Sequence, residues 1–295
     1  MRKTLYIVIG PTACGKTSFA IDLARHLKTE IVSADSRQIF KEMNIGVARP
    51  EDFELQAVKH HLIATWSVEE NYNVARYEKE ALNIIYDLFS KYDNLVLCGG
   101  SGMYVNAVIN GIDDIPDTPI ALRQRLQDEL NTYGLNVLLD ELKSKDEKYF
   151  AVVDTQNPRR VLRALEVIRL TGKPFSDFRT NTTAQRNFDI KIIGLERKRE
   201  ELIQRINTRV DIMIDKGLVD EARSLVKFKS LNALSTVGYR ELFDFFDGKT
   251  TLSEAVELIK IHTRQYAKRQ MTWFRKMPNV HWYNLSSQQI DLSQL

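Results

Sequence analysis

Short apolar runs alternate with stretches of helical spacing over most of this chain. The run at 5–9 is rich in β-branched residues and ends at Gly10, after which apolar positions recur at helical intervals over 18–27. Further short runs lie at 30–34, 95–98, 190–195 and 280–283, with helical patterns such as 74–89 between them. Such alternation predicts a mostly parallel sheet with helices on both faces. The rhythm changes after Gly111: residues 112–119 form a loop with two prolines, and 120–179 carries helical patterns without a strand. Strand character returns at 190, and a long helical region over 199–277 precedes the last strand. The organisation expected is an α/β core from 1–111 and 190–295 with an all-helical domain inserted at 112–189. No internal repeat or low-complexity tract interrupts it.

The first strand, loop and helix carry chemistry. Gly10-Pro11-Thr12-Ala13-Cys14-Gly15-Lys16-Thr17 fits GxxxxGK[ST] and stands between a buried strand and a helix start, the context in which that motif binds phosphate. Backbone amides of such a loop, together with the helix N-terminus, cradle a diphosphate; Lys16 adds a point charge and Thr17 can ligate Mg²⁺. The fold class is therefore α/β, a P-loop NTPase-like parallel sheet with flanking helices and an inserted all-helical domain. The loop names a phosphate ligand, not a reaction. Where many P-loop ATPases place a magnesium-organising Asp, the run at 95–98 ends instead in Gly99-Gly100, which weighs against ATP hydrolysis. The glycines of Gly99-Gly100-Ser101-Gly102 suit a close backbone approach to a substrate. Asp35 ends the second strand, on the edge where ligands bind in open α/β sheets. Four roles are open to it: partner of Mg²⁺, hydrogen-bond acceptor for substrate, general base, or cap of the next segment.

Hydrophobic residues make up 43% of the 295, enough for a sizeable core. The formal net charge is only +3, so affinity for a polyanion must come from local clusters. Two stand out. Arg159, Arg160, Arg163, Arg169, Lys173 and Arg179 outnumber Glu166 and Asp177 over 157–179, and residues 260–276 hold Lys260, Arg264, Lys268, Arg269, Arg275 and Lys276 with no acid. On a helix, Lys260, Arg264, Lys268 and Arg275 form a basic stripe beside an apolar one of Leu252, Val256, Ile259, Tyr266, Trp273 and Phe274, the aromatics reading as packing residues. Two such clusters beside a phosphate loop point to nucleic acid. Cys14 and Cys98 show no disulfide or zinc spacing, so a reducing cytoplasm fits. No secretory signal or run of about 18 apolar residues is present, so no membrane span is expected. His60-His61 lacks partners at metal-binding spacing and reads as structural.

Taken in order, these segments resemble the tRNA dimethylallyltransferases, or isopentenylpyrophosphate:tRNA transferases. The resemblance runs through GPTACGKT, SADSRQIF, GVARP, HHL, GGSGMY, NPRRVLRALEV with TGKP, the arginines Arg199, Arg205 and Arg209, VGYRE, and TRQYAKRQMTWFR. It implies that Asp35 is the base acting on the adenine amine and that Thr17 positions Mg²⁺ at the donor. Gly10 to Thr17, Arg199 and Arg205 would bind the diphosphate of dimethylallyl diphosphate, Arg205 acting in catalysis. Asp35, Ser36, Arg37, Gln38, Ser101, Arg123, Arg159, Arg160, Val161, Leu162 and Arg163 would meet tRNA, and the basic stripe of Arg264, Lys268 and Arg275 would clasp the anticodon stem-loop. The implied target is N6 of adenine 37 in tRNAs reading codons that begin with U. A monomer is the expectation. Phe40 and Val47 stand where the family would have Tyr and Thr, Ser101 replaces Thr, and Arg159 stands where an acid is usual.

Three other functions share parts of this pattern. A small-molecule kinase or a transferase prenylating free adenine nucleotides needs no long basic surface, and a nucleotide-gated RNA-binding protein would depend on ATP or GTP.

Overall fold

The computed structural model describes residues 2–180, 183–287 and 289–295. The chain divides into two compact units, one of Met1–Ile109 with Gln185–Leu295 and one of Asn110–Ala184.

In the larger unit the elements run β1 (Thr4–Ile9), α1 (Lys16–His26), β2 (Ile31–Ser33), α2 (Asp52–Ala57), β3 (His60–His61), α3 (Val74–Phe89), β4 (Asn94–Cys98) and α4 (Gly102–Asn110). The smaller unit contributes α5 (Ile120–Tyr133), α6 (Leu135–Lys145), α7 (Glu147–Phe150) and α8 (Pro158–Thr171). The chain then returns through β5 (Asp189–Glu196), α9 (Arg199–Asp215), α10 (Leu218–Ser224), α11 (Tyr239–Phe246), α12 (Leu252–Phe274) and β6 (Val280–Asn284).

The six strands form one sheet in the order β3-β2-β4-β1-β5-β6, parallel throughout. Because side chains alternate across a strand, β1 feeds two cores at once. Leu5, Ile7 and Ile9 pack with Leu95, Leu97, Ala81, Ile85, Val105 and Leu242 on one face. Tyr6 and Val8 pack with Val96, Ile193, Leu195 and the α1 residues Phe19, Ala20 and Leu23 on the other. Burial on both faces explains why the strands read as continuous apolar runs.

His60-His61 turns out to be the edge strand β3. His61 Nε2 lies 2.5 Å from Glu30 Oε2, and His60 Nδ1 lies 2.8 Å from the Val58 carbonyl. Among the described residues no group of three His, Cys, Asp or Glu side chains could hold a metal ion. No helix among them is long and apolar enough to cross a membrane.

The smaller unit is helical and has its own core, centred on Leu126, Leu138, Leu142, Val161, Leu165 and Phe175. Arg169 of α8 ties it together, donating to Glu129 Oε2 at 2.7 Å and to Glu141 Oε2 at 2.6 Å.

Candidate active site

The phosphate loop joins β1 to α1. Gly15 occupies φ 108° just before α1 begins, a region open to glycine, and no side chain caps the helix start. The amides of Ala13, Gly15, Lys16 and Thr17 take no protein acceptor among the described residues. They are donors left over at the positive end of a helix. The loop's carbonyls, in contrast, are held from α9 and its approach. Arg205 Nε donates to the Ala13 carbonyl at 2.8 Å and Arg197 Nε to the Cys14 carbonyl at 2.7 Å. Glu201 steadies Arg197 at 2.5 Å. Burial, and then the charge of Arg205, lowers the pKa of the neighbouring Arg209 guanidinium. Lys16 Nζ donates to the Pro11 carbonyl at 2.7 Å.

At the end of β2 the backbone continues toward the same edge. Ala34 N–H donates to the Cys98 carbonyl at 2.8 Å, and the Ala34 carbonyl accepts from Ser101 N–H at 3.1 Å. Only glycine fits between them: a Cβ on Gly99 would stand 2.1 Å from Ala34 O. The close approach expected of these glycines is therefore made to the chain itself.

Asp35 follows, half-buried, with Oδ1 accepting from Arg37 N–H at 2.9 Å and Gln38 N–H at 3.2 Å. One carboxylate oxygen thus caps the turn at 36–38. Its Oδ2 accepts from no protein donor among the described residues. Ser101 Oγ accepts from Ser36 N–H at 2.9 Å and lies 3.1 Å from Ser36 Oγ, so Ser101 braces the turn carrying Asp35.

Gln270 of α12, only 7% exposed, closes the arrangement. Its Oε1 accepts from Thr12 N–H at 2.8 Å, and its Nε2 donates to the Gly100 carbonyl at 2.9 Å. The sequence carried only a faint sign of it, an amide on a helix face otherwise lined by Ala255, Ile259, Ala267 and Phe274.

Comparison with known proteins gives one answer. The family model for IPP transferase matches residues 38–277. A tRNA dimethylallyltransferase of Christiangramia forsetii is 49% identical over 283 residues, covering 96% of this chain and 94% of that protein. The chain belongs to the IPP transferase family. Flavobacterium johnsoniae has a tRNA dimethylallyltransferase 46% identical over 291 residues, covering 97% of this chain and 94% of its own. The crystal structure of full-length tRNA isopentenylpyrophosphate transferase from Bacillus halodurans superposes with TM-score 0.71 at 37% identity, covering 99% of this chain and 93% of its own. A eukaryotic dimethylallyltransferase acting on tRNA superposes at 0.82 with 26% identity, covering 97% of this chain and 74% of its own. Enzymes of this family are prenyltransferases.

Several positions that the family resemblance suggested for tRNA or donor contact are differently engaged. Arg199 is exposed at the first residue of α9, while Arg197, two residues earlier, takes the loop carbonyl. Arg37 Nη1 donates to the carbonyls of Asn232 and Ala233, and Gln38 Nε2 to those of Val47 and Ala48, so both side chains serve their own chain. Val161 and Leu162 are 0% and 9% exposed, their side chains packed in the core of the smaller unit. Arg163 is held by Thr118 and Glu166, and Arg123 lies 3.6 Å from Glu166. Arg159 and Arg160 remain exposed.

On α12 the basic stripe is partly engaged by two acids and an amide distant in sequence. Lys260 meets Asp211 at 2.9 Å, Arg264 donates to Asn207 Oδ1 at 2.7 Å, and Arg275 to Glu196 Oε2 at 2.5 Å; Lys268 is exposed. The apolar stripe also needs correction, because Tyr266 and Trp273 are 37% and 44% exposed. The Trp273 ring lies against Gly102, the first residue of α4.

Proposed function

We propose that this transferase moves a dimethylallyl group from dimethylallyl diphosphate to N6 of adenine 37 in tRNAs reading codons that begin with U, releasing diphosphate. The observation carrying this reading is the placement of unused phosphate-loop amides after β1 and a carboxylate with a free oxygen after β2 on the same edge of the sheet, with Gln270 bridging the phosphate loop to the turn after β4 that lies between them. In this reading the unused amides of Ala13, Gly15, Lys16 and Thr17, with the Lys16 and Arg205 side chains, bind the donor's diphosphate. They stabilise the charge that develops as the allylic carbon leaves it. Asp35 Oδ2 accepts the proton from the adenine amine, while Oδ1 stays fixed by two backbone amides. A base within a stem-loop must leave its stack to reach such an edge, at a cost of a few kcal/mol offset by contacts in the pocket.

The donor set also fits Mg²⁺. This ion keeps several waters and is usually held by substrate phosphates with one or two carboxylates; here the Thr17 hydroxyl would be the protein ligand beside the diphosphate. It would neutralise charge on the leaving group. Exposed Lys268, Arg159 and Arg160, with Arg264 and Arg275, would contact tRNA phosphates.

The test combines unmodified tRNA, Mg²⁺ and dimethylallyl diphosphate without ATP, followed by mass spectrometry of the nucleosides. Prenylated adenosine from position 37 is expected, and none from a tRNA carrying guanosine there. Product only on free adenine nucleotides, or a strict need for ATP, would overturn the assignment.

A further inference from the structure

Gln270 stands where two halves of the proposed site meet. Its carbonyl end fixes an amide of the phosphate loop, and its amide end fixes the turn after β4. The next residue of that turn, Ser101, braces Ser36 beside Asp35. A continuous series of contacts therefore runs from Thr12 through Gln270, Gly100, Ser101 and Ser36 to Asp35. Every bond in it lies within the larger unit.

The polarity of the series is fixed. Thr12 offers only N–H and Gly100 only C=O to this side chain, so one donor and one acceptor are required. An amide supplies both, whereas a carboxylate supplies two acceptors and a hydrocarbon neither. The fit is also tight. A Cβ on Gly100 would stand 2.4 Å from Gln270 Nε2, with Lys16 Nζ a further neighbour at 3.9 Å.

We propose that Gln270 is a positioning residue for prenyl transfer, setting the phosphate loop and the Asp35 turn at the separation the reaction needs. This rests on the prenyl-transfer reading above. Gln270 touches neither reactant; it acts by holding the donor cradle and the proton acceptor in one frame. Misplacement of reacting groups by about 1 Å can cost about 10²-fold in rate, which sets the expected size of the effect.

The experiment measures kcat, KM for dimethylallyl diphosphate, Kd for tRNA and Tm in Gln270→Glu, Gln270→Ala, Gly100→Ala and the Gln270→Ala/Gly100→Ala pair. Gln270→Glu keeps size and one acceptor but loses the donor, so kcat should fall about 10- to 100-fold and donor KM should rise, with tRNA Kd within about twofold. Gly100→Ala should give a similar loss in the presence of Gln270. In the absence of that side chain the added methyl meets no amide, so the double variant should be no worse than Gln270→Ala alone. Additive losses would overturn the proposal, as would kcat within threefold of the parent in Gln270→Glu. So would a fall in kcat accompanied only by lower Tm and weaker tRNA binding. An inactive parent protein would instead sink the prenyl-transfer reading.

Discussion

At the scale of single residues, Asp35 shows how one carboxylate can serve both structure and chemistry. Its Oδ1 caps the turn at 36–38, while Oδ2, in the proposed reaction, would take the substrate proton. Asp35→Asn retains a cap, since Asn and Asp are about equally good there, but cannot take a proton. Both Asp35→Asn and Asp35→Ala should therefore lower kcat about 10²- to 10⁴-fold. Only the Ala variant should lose about 1 kcal/mol, seen as a Tm lower by about 2–4 °C. An active Asn variant would remove Asp35 from the role of base. Cys98 offers a second check. Burial pushes its thiol up to about 12, so it stays protonated at pH 8. Iodoacetamide should leave Cys98 unmodified in the native protein and label it once the chain is unfolded in guanidinium, as peptide mass mapping would show. The position of Asp35 at the sheet edge was legible, because a carboxylate after a buried strand has a predictable address. Gln270 and Arg197 were not legible, since each owes its place to a backbone group about 180 or more residues away.

At the scale of elements, α12 explains both what could be read and what could not. The stripe of Leu252, Ile259, Tyr266 and Trp273 repeats every seven residues. A straight helix drifts by about 20° per seven residues, so Tyr266 and Trp273 fall about 20° and 40° to one side of buried Ile259. The covered face lies on the other side of Ile259, through Gln270 about 20° away and on to Phe274 and Ala267. Tyr266 and Trp273 consequently come to the surface, while Leu252 is exposed as the first residue of the helix. The two-residue strand β3 was hidden for a different reason: paired histidines at a sheet edge have no apolar alternation to display. The acids facing the basic stripe qualify its expected role. Lys268→Ala should lower the slope of log K against log salt for tRNA by about 0.7–0.9, while Lys260→Ala, paired with Asp211 and Glu257, should change it little. Equal effects of the two would mean that these pairs open on binding. In α8, hydrogen bonding from Arg169 lowers the pKa of Glu129. That stabilisation is complete above the ordinary Glu value and is lost as pH falls through the lower folded one. Arg169→Met should therefore lower Tm at pH 6 and lose that deficit toward pH 3, as thermal melts across this range would show.

At the scale of the whole molecule, the helical insertion and the sheet it interrupts were legible because a change of rhythm survives without long-range information. The ends of the smaller unit meet, with Ala184 N–H donating to the Asn110 carbonyl at 2.8 Å. A short Gly-Ser bridge in place of residues 110–184 should therefore leave the phosphate loop and its α9 clamps intact. Diphosphate affinity measured by calorimetry should stay within about threefold, because no residue of the proposed cradle is removed. Loss of binding would show that the cradle depends on the insertion. The same interruption has a consequence in time. On one side β1 pairs with β4, and on the other with β5, whose first residue follows the last of β4 by about ninety positions. At 5–20 residues per second, a ribosome needs roughly 5–20 s to deliver that second neighbour, and the contiguous helical unit can close meanwhile. Throughout that interval the flank of β1 is an open row of unpaired backbone N–H and C=O groups on a largely apolar strand, the kind that recruits other chains. Nascent molecules halted near residue 184 should accordingly sediment as aggregates, whereas those extended past 196 should remain dispersed.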